Sequence, residues 1–267
     1  MRSVTSLQND TIKFVRSLEM RKVRRDTGQF VAEGASVLIT ARDNGHLPRT
    51  LIVRSGAQMA GEVAKLIQAV EAAGGDVIEA TLEIMEKLAT KDNPQSVIGV
   101  FDQLWQTPPL PASIEPEVTW LALEHVRDPG NLGTIIRTAD AVGAAGVILI
   151  GTCCDPFSRE CTRATMGSIF AVPLVRIDDA AGLALAQAWP GDSVGAHLSA
   201  TEDFRHAAYT SPALLVMGSE GPGMTAEMAS ACSRLVKIPM AGELDSLNLA
   251  IAAALTLYAI RGPHLKL

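Results

Sequence analysis

The stretch of sequence that decides the fold is "TWLALEHVRDPGNLGTIIRTAD", residues 119–140. Its apolar start, 119–125, predicts a strand that is covered on both faces of a sheet. A glycine-rich turn follows, in which Asn131 can cap the next helix by accepting a backbone N–H. A loop in this position is where α/β sheets bind ligands, and Arg137 follows in the helix. A capped turn with Arg137 reaching solvent explains the same residues, so both interpretations stay open here.

Similar apolar runs continue along the C-terminal half of the chain. They predict further strands at 146–151, 193–198, 213–218 and 234–239. A final helix from Leu247 to about Arg261 is apolar nearly all round, which predicts burial in a core or a subunit interface. Its apolar run, 247–260, is too short to cross a bilayer.

Helical and extended patterns also alternate in the N-terminal half. Strands are predicted at 29–34, 50–55, 76–80 and 96–101, and helices at 11–21, 35–44, 61–73 and 82–88. Between the halves, "QLWQTPPLPASIEPEV" (103–118) contains four prolines, which exclude a helix. The sequence therefore predicts a small N-terminal α/β domain at 1–102, a proline-rich linker at 103–116 and a C-terminal domain at 117–267.

Charge is unevenly distributed along the chain, whose net charge is −6. Residues 1–50 hold nine Lys or Arg and five Asp or Glu, so the excess of acid lies in the rest of the chain. A basic start on an acidic body fits a polyanion held by one end, although a solvated helix face gives the same pattern. An aromatic content of 4% argues against an RNA binder that works mainly by stacking bases.

The four cysteines form no C-x-x-C pair, and no histidine pair has zinc spacing, so no metal is expected. We interpret Cys153 and Cys154 as packing residues with reduced thiols. The N-terminus has no apolar core of the signal-peptide type. These features predict a cytoplasmic protein that is not in a membrane.

Two further segments could carry chemistry. The first, "LLVMGSEGPGM" (214–224), is a strand running into glycines around Glu220, and it matches neither a dinucleotide nor an NTP phosphate loop. The second, "VKIPMAGELDSLNLAIAAALTLY" (236–258), places Ser246 as a plausible helix N-cap. Asn248 follows at the start of an apolar helix, where its amide needs partners. Taken alone, the first of these segments is explained equally well by an ordinary glycine turn, and the second is explained better by a helix cap.

Taken together and in this order, the three segments resemble the three motifs of the SPOUT superfamily, in particular the SpoU/TrmH family of RNA 2′-O-ribose methyltransferases. That family has an Asn with an Arg six residues later, a G-x-E-G-x-G turn, and an I-P-M strand end followed by S-L-N. Here these are Asn131 with Arg137, "GSEGPGM", 238–240 and 246–248. The resemblance spans 119–261 and includes "RATMGSIF" (163–170), where the family often has a Ser/Gly/Ala-rich stretch. The segment 6–34 is similar to the family's substrate-binding domain, which looks like a small ribosomal RNA-binding protein.

The resemblance implies a C-terminal α/β domain with a parallel sheet and a deep trefoil knot, and a ribosomal-protein-like N-terminal α/β domain. It implies a homodimer that binds S-adenosylmethionine in the knot. The cofactor-binding residues would be Met217, Gly218, Gly221, Ile238, Met240 and Leu247. The catalytic residues would be Asn131, Arg137, Glu220, Ser246 and Asn248. The RNA-binding residues would be Lys13, Arg21, Lys22, Arg24, Arg25 and Arg163.

The implied reaction is attack of a ribose 2′-OH on the methyl group of S-adenosylmethionine. The enzyme must orient an in-line approach and remove a proton. The family's counterpart of Arg137 is often assigned the role of base, but an arginine has a pKa above 12. Arg137 is therefore either deprotonated in a special site or holds a phosphate while another group takes the proton. Glu220 would orient Arg137 or other groups.

The resemblance to a ribosomal protein makes ribosomal (23S) RNA the expected substrate. The alternatives are a tRNA 2′-O-methyltransferase and a non-catalytic RNA-binding or ribosome-assembly factor on the same fold. The intact set of motif residues argues against a protein without activity. We interpret His125, at the end of the strand before the first motif, as structural.

Overall fold

The computed structural model describes residues 1–57, 60–89 and 95–265. Its strands are β1 (Arg2–Val4), β2 (Gln29–Glu33), β3 (Thr50–Arg54), β4 (Asp76–Ala80), β5 (Val97–Asp102), β6 (Trp105–Gln106), β7 (Thr119–Glu124), β8 (Gly146–Ile150), β9 (Leu174–Ile177), β10 (Ser193–Ala196), β11 (Glu202–Asp203), β12 (Ala213–Met217) and β13 (Arg234–Lys237). Its α-helices are α1 (Asp10–Ser17), α2 (Arg21–Thr27), α3 (Ala35–Asp43), α4 (Glu62–Ala72), α5 (Leu82–Leu88), α6 (Pro129–Ala141), α7 (Arg159–Ala164), α8 (Asp179–Gln187), α9 (Ala226–Ala231) and α10 (Leu249–Arg261). All the strands predicted from the sequence form, with small shifts at their ends.

The chain forms two compact units. The first contains Met1–Leu104 together with Asp155–Ala171, and the second contains Trp105–Cys154 together with Val172–Leu267. The segment Asp155–Ala171 therefore lies within the predicted C-terminal domain in sequence but packs in the first unit. Aromatic packing explains this, because Phe157 lies 4.8 Å from Phe30 between ring centroids.

The first unit is built on a five-stranded mixed sheet in the order β1-β4-β3-β5-β2. β1, β4 and β3 run parallel, whereas β5 is antiparallel to both β3 and β2. Buried apolar side chains of α1 and α5 pack on one face of this sheet, among them Ile12, Val15 and Ile84. This arrangement is the predicted small α/β fold.

One helix predicted in the first unit, at 11–21, is two helices in the structure. α1 ends at Ser17, whose hydroxyl donates to the carbonyl of Phe14 at 2.7 Å, and α2 begins at Arg21. The carbonyls of Leu18 and Glu19, left free at this end, accept from Nη1 of Arg24. A side chain from the second helix therefore caps the first, which periodicity alone could not indicate.

The second unit contains an eight-stranded sheet in the order β11-β13-β10-β12-β7-β8-β9-β6, and all its strand pairings are parallel. β7, β8 and β12 are buried at almost every position, as expected for parallel strands covered on both faces. The predicted α/β fold with a parallel sheet is thus confirmed. β9 was not predicted, because Arg176 interrupts its apolar run.

The strand order brings the ends of β7, β12, β10 and β13 side by side at the carboxyl edge of the sheet. β12 lies between β7 and β10 although long stretches of chain separate the three in sequence. Loops that follow these strands can therefore meet, as in other α/β sheets.

The last helix, α10, packs against α6. One face of α10 is buried, with Ala253 and Leu257 inaccessible to solvent. The opposite face exposes Ile251, Leu255 and Tyr258, which follow one another at helical spacing. The predicted burial therefore holds for one face of the helix within a single chain. None of the helices in the described ranges has the length and hydropathy needed to span a bilayer.

Candidate active site

A cavity of about 480 Å³ lies at the carboxyl edge of the second unit's sheet. Its walls come from the loop after β10, the turn after β12, the end of β13 with the loop that leads to α10, and the start of α6. This volume falls in the range of small-molecule and cofactor sites. The segments that meet here are the three motifs singled out in the sequence, together with one that was not.

The turn after β12 forms one wall of the cavity through its backbone. Ser219 and Gly223 exchange hydrogen bonds, with N–H to carbonyl distances of 3.0 and 3.2 Å. Gly223 has a φ of +76°, which favours glycine. A Cβ at Gly218 would overlap the backbone of Gly223 and Met224, so the chain passes too close for any side chain. Gly218 and Gly223 therefore allow a compact turn that lines the cavity.

Glu220 extends from this turn to the loop after β7. Its carboxylate accepts from the backbone N–H groups of Arg127 and Asp128, at 3.0 and 3.1 Å, and from Nδ2 of Asn131 at 3.3 Å. Partial burial raises the pKa of Glu220, but these donors lower it further than burial raises it, so the net pKa lies below the ordinary value. Glu220 is therefore an ionised anchor between two loops and a poor proton acceptor.

Asn131 passes this connection on to the third motif. Its Oδ1 accepts from Nδ2 of Asn248 at 2.9 Å. The Oδ1 of Asn248 in turn accepts from the backbone N–H groups of Ala250 and Ile251 at the start of α10. A carboxylate at one end and backbone donors at the other fix the orientation of both amides. A continuous chain of hydrogen bonds thus joins all three motifs at the cavity.

Two of the predicted helix caps are corrected by the structure. Asp128, not Asn131, caps α6, and its carboxylate accepts from the N–H of Asn131 at 2.6 Å. Asn248, not Ser246, caps α10. Ser246 lies two residues before this cap, lines the cavity and donates from Oγ to Asp245 at 3.1 Å. Both asparagines hold loops together, and Ser246 keeps its hydroxyl at the cavity.

Arg137 is separated from this group. Asn131, Glu220, Ser246 and Asn248 line the cavity, whereas Arg137 is an exposed residue of α6 outside the lining set. Six residues along a helix place the two side chains of the first motif about 120° apart around the axis. The structure therefore brings together four of the five predicted catalytic residues.

All six residues predicted to bind the cofactor line the cavity: Met217, Gly218, Gly221, Ile238, Met240 and Leu247. Three further lining residues at the end of β10 were not predicted from the sequence: Ala196, the last residue of the strand, and His197 and Leu198, which follow it. The strand itself was predicted, but its place between β12 and β13 was not, and that place brings the loop to the cavity. Nδ1 of His197 accepts from the N–H of Ser199 at 3.2 Å and lies 2.7 Å from its Oγ, so Ser199 fixes the imidazole at the cavity.

The predicted RNA-binding residues lie in the first unit, and one of them is buried. Lys13, Arg21, Lys22 and Arg25 are exposed on α1 and α2. Arg24 is only 5% exposed. It forms an ion pair of 2.7 Å with Asp155 besides its bonds to the end of α1. The predicted contact between Arg24 and RNA is therefore wrong, because its buried guanidinium already binds Asp155 and the carbonyls of Leu18 and Glu19.

The sixth of these residues, Arg163, is exposed on α7, with Nε 4.0 Å from a carboxylate oxygen of Glu33. Its side chain therefore remains accessible to a ligand from solvent.

His125 and the cysteine pair have the structural environments expected of them. His125 has a φ of +56°, accepts at Nδ1 from the N–H of Thr152 and lies 3.1 Å through Nε2 from Asp179. Burial raises the pKa of the Cys153 thiol, and burial followed by the charge of neighbouring groups raises that of Cys154 to about 12. Both cysteines are therefore protonated at neutral pH and act in packing.

Comparison with known proteins identifies the class of molecule that this fold and cavity define. The model of the SpoU rRNA methylase family matches residues 119–258, and that of the MRM3-like substrate-binding domain matches residues 9–99. An uncharacterized tRNA/rRNA methyltransferase of Synechocystis is 31% identical, with 97% of this chain and 93% of the relative covered. The 23S rRNA (guanosine(2553)-2′-O)-methyltransferase RlmP of Bacillus subtilis is 27% identical, with 98% and 100% covered. The crystal structure of an AdoMet-bound rRNA methyltransferase from Sinorhizobium meliloti is 41% identical, with a TM-score of 0.90 and 99% and 98% covered.

These likenesses define an S-adenosylmethionine-dependent RNA 2′-O-methyltransferase, so the predicted class of enzyme and the predicted cofactor are confirmed. The chain belongs to the SpoU rRNA methylase family.

Proposed function

We propose that this enzyme methylates a ribose 2′-OH of ribosomal RNA, with S-adenosylmethionine bound in the cavity at the sheet edge. The observation that carries the proposal is the chain of hydrogen bonds from Glu220 through Asn131 to Asn248. It organises the three motifs around a space of cofactor size, as a site for a fixed reaction geometry requires. Two relatives support the choice of RNA, since RlmP is named for 23S rRNA and the Sinorhizobium protein for rRNA.

The volume of the cavity and the residues that line it support binding of the cofactor. The close-packed turn at Gly218 presents backbone N–H and C=O groups suited to an adenine, and Ile238 and Leu247 supply apolar walls. Lys237 and Asp245 provide one charge of each sign for the amino-acid end of the ligand. When bound, S-adenosylmethionine supplies a methyl group activated by a positively charged sulfur.

The residues of this chain would then orient the ribose and accept its hydrogen bonds. Asn131 and Ser246 stand at the cavity with polar atoms of fixed position. Glu220 keeps the loop of Asn131 in place and does not serve as the base. We assign Arg137 to the phosphate beside the target ribose, because a guanidinium stays charged at neutral pH and suits a phosphate, and the proton of the 2′-OH then passes to another group.

We assign this role to Arg137 of a second copy of the chain, since Arg137 is not among the residues that line the cavity of its own chain. The exposed apolar stripe of α10, formed by Ile251, Leu255 and Tyr258, supports a homodimer that buries this face. α10 packs beside α6, the helix that carries Arg137. A two-fold interface here would bring Arg137 of the partner subunit towards the cavity.

We extend the proposal to the whole chain on the strength of the family match. The C-terminal segment would pass through the deep trefoil knot of the SPOUT fold. The first unit would bind RNA, in line with its matched substrate-binding family model and the exposed cations of α1 and α2. Its likeness to a ribosomal protein, the functional boundaries at 1–102 and 117–267, and action in the cytoplasm remain predictions.

Transfer of labelled methyl groups from S-adenosylmethionine tests the proposed function directly. The purified enzyme would be given protein-free ribosomal RNA, intact large subunits and bulk tRNA, and the products would be mapped for 2′-O-methylation. We expect label at a ribose of 23S rRNA, and transfer about 1,000-fold slower with an Asn131→Ala variant. Label confined to tRNA would overturn the proposed substrate. Binding of RNA and cofactor without transfer to any of the three would indicate a non-catalytic RNA-binding factor.

A further inference from the structure

Glu124 is a charged side chain that the proposed reaction does not use. It is the last residue of β7, and only 3% of it is exposed. A carboxylate in such a place needs hydrogen-bond partners, because burial removes its water. Both of its partners belong to one residue: Thr225 donates from its backbone N–H to Oε2 at 2.8 Å and from its hydroxyl to Oε1 at 2.6 Å.

Thr225 connects the buried carboxylate to the cavity wall. It follows directly on the turn 218–224, and it caps α9 by accepting from the N–H of Met228 at 3.2 Å. The other end of the turn is fixed by β12. Glu124 therefore determines where the second end of the turn lies, although neither Glu124 nor Thr225 is among the residues that line the cavity.

Two carboxylates thus hold the same pair of loops together from opposite sides. Glu220 extends from the turn to the backbone after β7, and Glu124 extends from the end of β7 to the end of the turn. A cap for α9 alone requires only the threonine, as at Thr81 in α5. The hydrogen bonds from Thr225 to the buried carboxylate also fix the distance between β7 and the turn, and a helix cap does not require this.

We propose that Glu124 is a positioning residue that acts through Thr225 to hold the 218–224 turn in the geometry that binds S-adenosylmethionine. The inference rests on the proposed cofactor cavity. Because the turn contacts a ligand through its backbone, a small displacement changes every contact at once. Loss of the hydrogen bonds between Glu124 and Thr225 therefore weakens cofactor binding. It leaves the affinity for RNA, which we assign to the first unit, nearly unchanged.

Calorimetric titration of the full chain with S-adenosylmethionine tests this inference. Thr225→Val and Glu124→Ala are each expected to raise the Kd for S-adenosylmethionine at least tenfold at 20 °C. The double variant should match Glu124→Ala, because Glu124→Ala already removes both hydrogen bonds, whereas Thr225→Val removes only the hydroxyl donor. Thr225→Ser, which keeps both donors, should stay within twofold of wild type, and the KM for RNA should change less than twofold in all of them.

Thr81→Val is the matched control, since it removes a threonine cap of the same kind from α5 in the first unit. It should lower the Tm and leave the Kd for the cofactor unchanged. Near-UV circular dichroism establishes which variants are folded, and Thr225→Ala replaces Thr225→Val if the latter does not fold.

Two outcomes would contradict the inference, and a further variant, Gly218→Ala, tells them apart. Folded Thr225 and Glu124 variants that bind the cofactor within twofold of wild type, beside a Gly218→Ala variant that does not bind, would overturn the role of Glu124 alone. Normal binding by Gly218→Ala would overturn the proposed cavity, and the inference with it.

Discussion

At the cavity, the carboxylate of Glu220 receives three hydrogen bonds from a neighbouring loop, whereas on α1 and α2 the cations of Lys13, Lys22 and Arg25 extend into solvent. The first group defines a geometry, and the second supplies accessible charge, even where Arg25 pairs with the exposed Asp26 at 3.1 Å. Arg24 lies in the basic segment of the sequence, but in the structure it is buried and paired with Asp155, as Glu220 is held by its donors. Charge in a sequence therefore indicates a partner only where the fold leaves it accessible.

The largest expected effect comes from breaking the chain of hydrogen bonds at the cavity. Asn131→Ala removes the donor to Glu220 and the acceptor for Asn248 in one step. We expect kcat for methyl transfer to fall about 1,000-fold, or ~4 kcal/mol, because two loops lose their common anchor. Steady-state kinetics with RNA measures this. Thr138→Ala, on the same helix, is the control, and an Asn131→Ala enzyme with near-normal kcat would show that the chain of bonds has no catalytic importance.

Arg24→Ala should lower the stability of the protein, whereas substitution of its exposed neighbours should not. The side chains of Arg24 and Asp155 are 6% and 13% exposed, so removing one partner leaves an uncompensated charge. We expect a loss of about 3 kcal/mol, with the Tm lowered by roughly 6–12 °C. Thermal melting with Arg25→Ala as the control measures the difference. Equal Tm values for the two variants would contradict the structural role of Arg24.

The double variant Lys22→Ala/Arg25→Ala should do the opposite and weaken RNA binding without changing the Tm. Each lost phosphate contact should reduce the slope of log K against log salt by about one, and affinity at low salt should fall by roughly tenfold. Filter binding over a series of salt concentrations measures both quantities. An unchanged slope would place the RNA on another face of the first unit.

The smallest expected effect is on the pH dependence of stability that Glu220 contributes at the cavity. The pKa of Glu220 lies below its ordinary value, so its contribution to stability is complete above the unfolded value of about 4.3 and is lost as the pH falls through the lower folded value. Glu220→Gln should remove this part of the acid destabilisation. Tm values of both proteins between pH 3 and 7 test it, and parallel curves below pH 4.3 would contradict the assignment.

Much of this fold could be predicted from the sequence because its strands are short apolar runs bounded by glycine and proline. The three motifs were visible as residue types and spacings, and the family resemblance that they carry implied the six cofactor-binding residues. Their contact depends on β12 lying between β7 and β10, which local patterns do not contain. The loop after β10, with His197, was missed for this reason.

Helix caps and buried charges were predicted less well. Asp128 caps α6 where Asn131 was predicted, and Asn248 caps α10 where Ser246 was predicted. Several residues near each helix start can accept a backbone N–H, so the sequence does not single one out. Arg24 and Glu124 are charged residues whose partners, Asp155 and Thr225, are about a hundred positions or more away along the chain. Only the folded structure brings these partners together. The sequence therefore assigned Arg24 to RNA and gave no role to Glu124.

The measurement that tests the central claim most directly is calorimetric titration of S-adenosylmethionine into wild type, Gly218→Ala and Gly262→Ala. A Cβ at Gly218 would overlap the backbone of the turn, whereas one at Gly262 meets open space. We predict that wild type and Gly262→Ala bind with affinities within twofold of each other and that Gly218→Ala binds at least 100-fold more weakly while remaining folded. Equal binding by all three proteins would contradict the placement of the cofactor in this cavity.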